Sequence, residues 1–129
     1  MMSARILYVD DEDDIREIAQ MSLELEPGFS VRQCSSGSEA LGEAAGWQPD
    51  LILLDVMMPE MDGPETLRRL AEQPSTAAIP VIFITAKTQL HEVERYRSMG
   101  AIGVVAKPFD PMKLAAEVKQ LLNAHDGRT

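Results

Sequence analysis

The sequence predicts an α/β protein in which five strands alternate with five helices. Two observations lead to this prediction. Five short apolar runs recur along the 129 residues, and each is followed by a stretch whose apolar residues have helical spacing. Strands that alternate with helices indicate a parallel sheet with helices on both faces. The predicted strands are 5–9, 29–34, 51–54, 81–84 and 102–106.

Capping residues set the predicted limits of the helices. Ser36 and Glu39 form a capping-box pattern, and Asp62 has the same spacing to Glu65. The expected residues at the helix starts are Ser36, Asp62, Thr88 and Asp110. Gly100 is expected to end the fourth helix. The buried face predicted for the first helix consists of Ile15, Ile18, Ser22 and Leu25.

Composition restricts the classes of function. A chain of this length usually forms one domain, and its 45% hydrophobic content supports a packed core. The single Cys34 excludes an intramolecular disulfide and a thiolate zinc site. No apolar run approaches the roughly 18–20 residues of a membrane span. The net charge of −9 opposes a general basic surface for nucleic acid or anionic membranes. We therefore expect a cytoplasmic protein with no direct contact to nucleic acid or membrane.

The negative charge is concentrated in the first half of the chain. Residues 1–62 contain 14 acidic and 3 basic residues, a balance of −11, whereas residues 63–129 contain 7 acidic and 9 basic residues, a balance of +2. Residues 10–14 are five consecutive acids. Because like charges at such short distances repel, we expect a divalent cation or a nearby lysine to compensate some of them.

Polar side chains follow the ends of four predicted strands. Asp10 and Asp11 follow the first strand, Asp55 the third, Thr85 the fourth and Lys107 the fifth. Ligands of open α/β sheets bind outside the carboxyl ends of the strands, where the strand order reverses. The sequence therefore predicts one crevice that contains three carboxylates, a hydroxyl and an ammonium group.

These residue types suit phosphoryl chemistry at a magnesium site. Mg²⁺ prefers oxygen ligands, and Asp11 and Asp55 are the expected direct ligands, with a backbone carbonyl after Asp55 as a further one. An aspartate beside a metal ion can also act as a nucleophile and form an aspartyl phosphate. Lys107 and the Thr85 hydroxyl would then stabilise the phosphoryl group.

The sequence resembles the response-regulator receiver domains of two-component signalling, the CheY-like superfamily. The resemblance rests on five motifs in order along the chain: VDDE at 9–12, LDVMMP at 54–59, MDG at 61–63, ITA at 84–86 and KPF at 107–109. It extends over nearly the whole chain. It implies a doubly wound (βα)5 fold, flavodoxin-like or CheY-like, with strand order 2-1-3-4-5.

The resemblance also implies roles for individual residues. Asp55 is the phosphoacceptor, Thr85 is the switch hydroxyl, and Lys107 pairs with the acids or the phosphoryl group. The implied Mg²⁺ site, for which Mn²⁺ is an alternative ion, consists of Asp10, Asp11, Asp55 and the backbone carbonyl of Met57. The peptide bond between Lys107 and Pro108 is expected to be cis.

The resemblance further implies partners. The phosphoryl group comes from a sensor histidine kinase or a histidine phosphotransfer protein, and a downstream protein binds the face of helix four, strand five and helix five. The chain departs from the family at Val104, where many receivers have Tyr or Phe. A valine lacks the large inward swing of that ring, so we expect the output to depend mainly on residues 85–91.

We expect a stand-alone response regulator that is a phosphoacceptor rather than an enzyme, with a receiver domain over residues 1–124 and a short tail over residues 125–129. Two other hypotheses remain open. The chain could be a receiver-like scaffold that binds partners constitutively. It could also be a phosphatase of the haloacid-dehalogenase type, since Asp11-Glu12-Asp13 fits that family's Asp-x-Asp motif with Asp11 as nucleophile.

Overall fold

The computed structural model describes residues 3–126 and shows five strands alternating with five helices. The strands are Ala4–Val9 (β1), Phe29–Cys34 (β2), Leu51–Asp55 (β3), Val81–Thr85 (β4) and Gly103–Ala106 (β5). The helices are Asp13–Leu23 (α1), Gly37–Trp47 (α2), Gly63–Glu72 (α3), Leu90–Ser98 (α4) and Leu114–His125 (α5). All neighbouring strands pair in parallel, in the order β2-β1-β3-β4-β5. The predicted (βα)5 doubly wound sheet and its strand order are confirmed.

Helices cover both faces of the sheet, which explains the continuous apolar runs in the strands. In β3, Ile52 and Leu54 pack on the side of α2, α3 and α4, whereas Leu51 and Leu53 pack on the side of α1 and α5. Successive side chains of a strand point to opposite faces, so a strand buried on both sides needs apolar residues at every position. The sheet thus separates two hydrophobic cores.

The buried face predicted for α1 is partly wrong. Ile18 is 41% exposed and Leu25 is 60% exposed, while the buried residues of this helix are Ala19, Ser22 and Leu23. The helix ends at Leu23, so Leu25 lies in the following turn and does not continue the helical stripe. Small Ala19, rather than its larger neighbour Ile18, faces the core on the α1 side of the sheet.

Two of the four predicted helix starts are confirmed. The Ser36 side chain accepts a hydrogen bond from the Glu39 backbone N–H at 3.1 Å, and Asp62 accepts one from Glu65 at 2.9 Å. The other half of the Ser36 capping box differs, because the Glu39 carboxylate accepts from the backbone N–H of Ser35 rather than from that of Ser36.

The predictions for the starts of α4 and α5 are wrong by one to three residues. The residue that precedes α4 is Gln89 instead of Thr88, and its backbone N–H donates to the Glu92 carboxylate. Asp110 instead closes a turn before α5, because its side chain accepts from the Met112 backbone N–H and its carbonyl accepts from Lys113.

The ends of these two helices agree better with the sequence. Gly100 has a φ of 116°, a conformation that L side chains rarely adopt, and it follows α4 as predicted. Helix α5 continues through His125, the first residue of the predicted tail, and residues 127–129 lie outside the described residues.

Within residues 3–126, no helix is long and apolar enough to cross a membrane.

The close packing of α2 against α3 depends on Gly37. A Cβ atom at Gly37 would lie 2.2 Å from the Oγ1 atom of Thr66 and 3.0 Å from the Sδ atom of Met61. Thr66 is fully buried, and its hydroxyl donates to the Asp62 carbonyl, so it lacks room to yield. We expect Gly37→Ala to lower the free energy of unfolding by about 1–3 kcal/mol.

Urea denaturation would measure this effect, and Gly42→Ala is the matched control. Gly42 lies in the same helix, and a Cβ atom there would meet nothing within 4 Å. Its substitution is expected to raise the stability by about 0.5–1 kcal/mol, because alanine loses less backbone entropy in a helix. Equal effects of the two substitutions would contradict the proposed contact between α2 and α3.

Candidate functional site

The predicted site residues meet at the carboxyl edge of the sheet, where the strand order reverses. Val9 pairs with Leu54 across β1 and β3, so Asp10 and Asp55 emerge side by side. Thr85 ends the adjacent strand β4 and pairs with Ala106, the residue before Lys107. This edge lies between β1 and β3, the position at which open α/β sheets bind ligands.

Three carboxylates form a cluster at this edge. One oxygen atom from each of Asp10, Asp11 and Asp55 lies within 4.8 Å of the others. Asp10 is fully buried and Asp55 is 3% exposed, whereas Asp11 faces solvent. Buried carboxylates at this spacing need a cation, because their mutual repulsion is poorly screened.

Lys107 supplies the protein's own compensating charge. Its Nζ atom lies 3.0 Å from Asp10 Oδ2, 3.0 Å from Glu12 Oε1 and 3.3 Å from Asp55 Oδ2. One ammonium group therefore bridges three carboxylates, two from the loop between β1 and α1 and one from the end of β3. The peptide bond between Lys107 and Pro108 is cis, as expected.

The ionisation of Asp55 reflects the imbalance of charge in the crevice. Burial and the negative charge of Asp10 raise the pKa of Asp55 to about 6, against the opposing effects of Lys107 and of the Met57 backbone N–H. Burial acts to lower the pKa of Lys107, but its bonds to Glu12 and Asp10 outweigh burial, and its pKa lies above the ordinary value. Lys107 therefore remains charged, and one ammonium group leaves the carboxylates incompletely neutralised.

Tyr8 contacts the acid cluster from inside the core, which the sequence analysis missed. Its hydroxyl donates to Asp10 Oδ2 at 3.0 Å, and its side chain is fully buried. Burial, followed by the charge of Asp10, raises the pKa of Tyr8 well above its ordinary value, so the hydroxyl keeps its proton. The signal in the sequence is the two-residue spacing, which places Tyr8 and Asp10 on the same face of β1.

Glu12 and Arg16 also take part in the site, although the sequence analysis did not assign them to it. The Glu12 backbone N–H donates to Asp10 Oδ1 at 3.0 Å, in addition to the ion pair of its side chain with Lys107. Arg16 donates to the Asp10 carbonyl at 2.8 Å and binds the Asp13 carboxylate. These contacts hold the loop between β1 and α1 against the sheet.

Thr85 lies at the edge of the crevice and is almost fully buried. Its hydroxyl oxygen accepts a hydrogen bond from the Lys87 backbone N–H at 3.1 Å, and its carbonyl accepts one from the Lys107 backbone N–H at 2.9 Å. The side chain is thus held by the exposed loop that leads to α4 rather than by the acid cluster.

The loop after Asp55 depends on Gly63 for its path. The Gly63 N–H donates to the Val56 carbonyl at 2.9 Å, and a Cβ atom at Gly63 would lie 2.6 Å from the Asp55 carbonyl oxygen. Between these residues, Met57 follows Asp55 by two positions and is 71% exposed. The loop therefore packs on the backbone of Asp55 and leaves the crevice open to solvent beside Met57.

The donor set of the crevice fits a hard divalent cation. Three carboxylates provide oxygen atoms within bridging distance, and no neutral nitrogen or sulfur ligand accompanies them among the described residues that could form a metal site. Lys107 neutralises one of the three charges, so a divalent ion would compensate the rest. The same arrangement places a carboxylate, Asp55, where an ammonium group can stabilise added negative charge.

A family model matches most of the chain. The matching family is the response regulator receiver domain, and the match covers residues 6–119. This range includes every residue of the site described above, from Tyr8 to Lys107.

Two curated proteins with similar sequences are transcriptional regulatory proteins. The chain is 39% identical over 121 residues to the alkaline phosphatase synthesis transcriptional regulatory protein PhoP of Bacillus subtilis, covering 94% of this chain and 49% of that protein. It is 41% identical over 129 residues to the transcriptional regulatory protein SrrA of Staphylococcus aureus, covering 99% of this chain and 52% of that protein. The chain thus spans about half the length of these relatives.

Solved structures show the same fold over nearly their whole length. The chemotaxis response regulator CheY4 of Vibrio cholerae has a TM-score of 0.83 at 30% identity, covering 94% of this chain and 99% of that one. The receiver domain of a histidine kinase from Syntrophus aciditrophicus has a TM-score of 0.78 at 37% identity, covering 95% and 92% of the two chains. The chain belongs to the response regulator receiver domains, the phosphoacceptor domains of two-component signalling.

Proposed function

We propose that Asp55 is the residue that accepts the phosphoryl group. The observation that carries this proposal is the position of its carboxylate, which is buried beside two further aspartates and 3.3 Å from the Lys107 ammonium group. One Asp55 oxygen would form the new bond to phosphorus as the bond between phosphorus and the donor's imidazole nitrogen breaks. The electron pair of the broken bond would remain on that nitrogen.

Asp10, Asp11 and Asp55 would hold Mg²⁺ or Mn²⁺, with the Met57 carbonyl as a further ligand by analogy with the family. When bound, the ion supplies positive charge that neutralises the carboxylates and the phosphoryl oxygens. Lys107 would provide the second positive charge, because its Nζ atom already reaches both Asp10 and Asp55. Together, the ion and Lys107 would offset the charge of about −1.5 to −2 that a phosphoryl group adds.

Thr85 would couple the phosphoryl group to the surface. Its hydroxyl could exchange the Lys87 backbone N–H for a phosphoryl oxygen, which would draw the exposed loop 86–89 towards the crevice. Helix α4 would follow easily, because Tyr96 is its single buried residue and packs edge-on against Phe83. This route needs no aromatic residue at position 104.

The partners follow from this chemistry. The donor would be a sensor histidine kinase or a histidine phosphotransfer protein, and the exchange would take place in the cytoplasm. A downstream protein would bind the face of α4, β5 and α5, where Leu90 is exposed and Ile102 and Val104 are half-buried. The proposed activity is that of a signalling phosphoacceptor, without turnover of a substrate.

Phosphorylation can be measured by intact-mass spectrometry after incubation with acetyl phosphate and Mg²⁺. We expect a gain of one phosphoryl mass that is lost in Asp55→Asn and on chelation of the cation. Asp50→Asn is the matched control, because Asp50 precedes the same strand at its opposite end, and this variant should gain the mass as the unaltered chain does.

Two outcomes would contradict the proposed role of Asp55. A chain that gains no phosphoryl mass would favour the constitutive scaffold. Turnover of p-nitrophenyl phosphate that is lost in Asp11→Asn but kept in Asp55→Asn would favour the phosphatase.

Without a divalent cation, Asp55→Asn should stabilise the protein at neutral pH. The pKa of Asp55 is raised from 3.8 to about 6, so the folded state favours the protonated carboxyl. The stability that this protonated form contributes is fully present below about pH 4 and is lost as the pH rises through about 6. The variant lacks this loss. Its free energy of unfolding should therefore exceed that of the unaltered chain by a margin that grows between about pH 4 and about pH 6, to at most about 3 kcal/mol.

Thermal unfolding in a chelating buffer from pH 4 to 7.5 would measure this difference. Asp14→Asn, the same change at an exposed position in the first turn of α1, should give no such gain. Saturating Mg²⁺ should stabilise the unaltered chain more than Asp55→Asn, since an ion that binds the folded state shifts the unfolding equilibrium. A pH-independent difference would contradict the electrostatic explanation.

Thr85→Ala should separate phosphorylation from the change at the surface. We expect this variant to gain the phosphoryl mass, while the amide exchange of residues 86–98 no longer responds to phosphorylation. Thr85→Ser keeps a hydroxyl and should restore the response. If Thr85→Ala responded as the unaltered chain does, the proposed coupling through the Thr85 hydroxyl would be wrong.

A further inference from the structure

Asp10 is a fully buried carboxylate whose two oxygen atoms are both engaged. Its Oδ2 atom accepts from the Tyr8 hydroxyl and from Lys107 Nζ, each at 3.0 Å, and its Oδ1 atom accepts from the Glu12 backbone N–H at 3.0 Å. A buried carboxylate keeps its orientation only while such donors remain, because each lost hydrogen bond leaves a desolvated acceptor. The three donors differ in how firmly they are held.

Tyr8 is the donor fixed by the core. Its side chain is fully buried, and its backbone lies in an interior strand of the sheet, paired with Gln33 of β2 and Leu53 of β3. The ring packs in the core between the sheet and helices α1 and α5. Among the described residues, the hydrogen-bond partner of the Tyr8 hydroxyl is the Asp10 carboxylate.

Lys107 is a shared donor, in contrast to Tyr8. Its ammonium group divides its contacts among Asp10, Glu12 and Asp55, and its side chain is 17% exposed. Glu12, the third donor, lies in the loop before α1 and donates to Asp10 through its backbone N–H. A cation that enters the crevice would compete with Lys107 for the carboxylate oxygens, and a phosphoryl group would compete with the carboxylates for Lys107. The Tyr8 hydroxyl, in contrast, belongs to a fully buried side chain and donates to Asp10.

We propose that Tyr8 is a positioning residue for the cation site. Its hydroxyl holds the Asp10 carboxylate in the orientation in which one oxygen lies within 4.8 Å of the ligand oxygens of Asp11 and Asp55. Such outer partners orient the ligands of metal sites, and their loss typically lowers the metal affinity by about 10–100-fold. This inference rests on the proposed cation site and adds to it a residue outside the ligand set.

Tyr8→Phe tests this inference, because it removes one oxygen atom and keeps the ring. Mg²⁺ affinity is measured by titration calorimetry, and Mn²⁺ affinity by the electron paramagnetic resonance signal of the free ion. We expect affinity for both ions to fall about 10-fold. Tyr96→Phe is the matched control, since it removes the hydroxyl of another buried tyrosine, on α4. It should leave both affinities unchanged.

Urea unfolding of the cation-free protein separates positioning from a role in folding. A structural role alone would lower the stability of Tyr8→Phe without changing the affinity of the folded protein for the cations. An affinity that is unchanged or tighter, an equal loss in Tyr96→Phe, or a variant that does not fold would overturn the inference. An unaltered chain that binds neither ion would overturn the proposed cation site as well, which distinguishes the two failures.

Discussion

The structure depends on one buried negative charge, the carboxylate of Asp10, and on the few groups that compensate it. Asp10 directly follows β1 and is fully buried, and Tyr8, Lys107 and the Glu12 backbone donate to it. An isolated carboxylate in this place would be strongly unfavourable. Lys107 lies 97 residues away in the sequence, so the fold must bring the end of β5 close to the end of β1 for the charge to be tolerated. The parallel sheet achieves this because all its strands end at one edge.

The fold and the main site residues could be predicted because both follow from a repeated local pattern. The runs Leu51–Asp55 and Val81–Thr85 are apolar up to their last residue, which carries the polar group into the crevice. Tyr8 could not be assigned in the same way. An aromatic residue within an apolar strand is typical of a core, and its ring does lie in the core, while its hydroxyl reaches the site. The role of Glu12 depends on the distant Lys107, which the local sequence does not reveal.

The face of α1 illustrates a different limit. Counting apolar residues at helical spacing favours Ile18, yet Ala19 occupies the buried position because the helix packs closely on the sheet. Folded proteins expose many apolar atoms, so an exposed isoleucine contradicts no general rule. The face that a helix buries depends on which of its side chains allow it to approach the sheet most closely. The buried face therefore depends on the neighbouring elements as well as on the spacing of apolar residues in the helix.

The crevice contains two buried hydroxyls that are held in opposite ways. Tyr8 donates inward to Asp10 from a strand paired on both sides, whereas Thr85 accepts from the N–H of Lys87 in an exposed loop. Moving the first would require a change in the core, but moving the second requires only that one loop hydrogen bond be exchanged. Under the proposed function, the acid cluster would therefore keep a fixed geometry for a cation, while the Thr85 hydroxyl would be free to exchange its partner in the exposed loop. Val104, half-buried beside Phe83, has no aromatic ring, so in the proposed coupling the Thr85 hydroxyl would be the direct link between the crevice and α4.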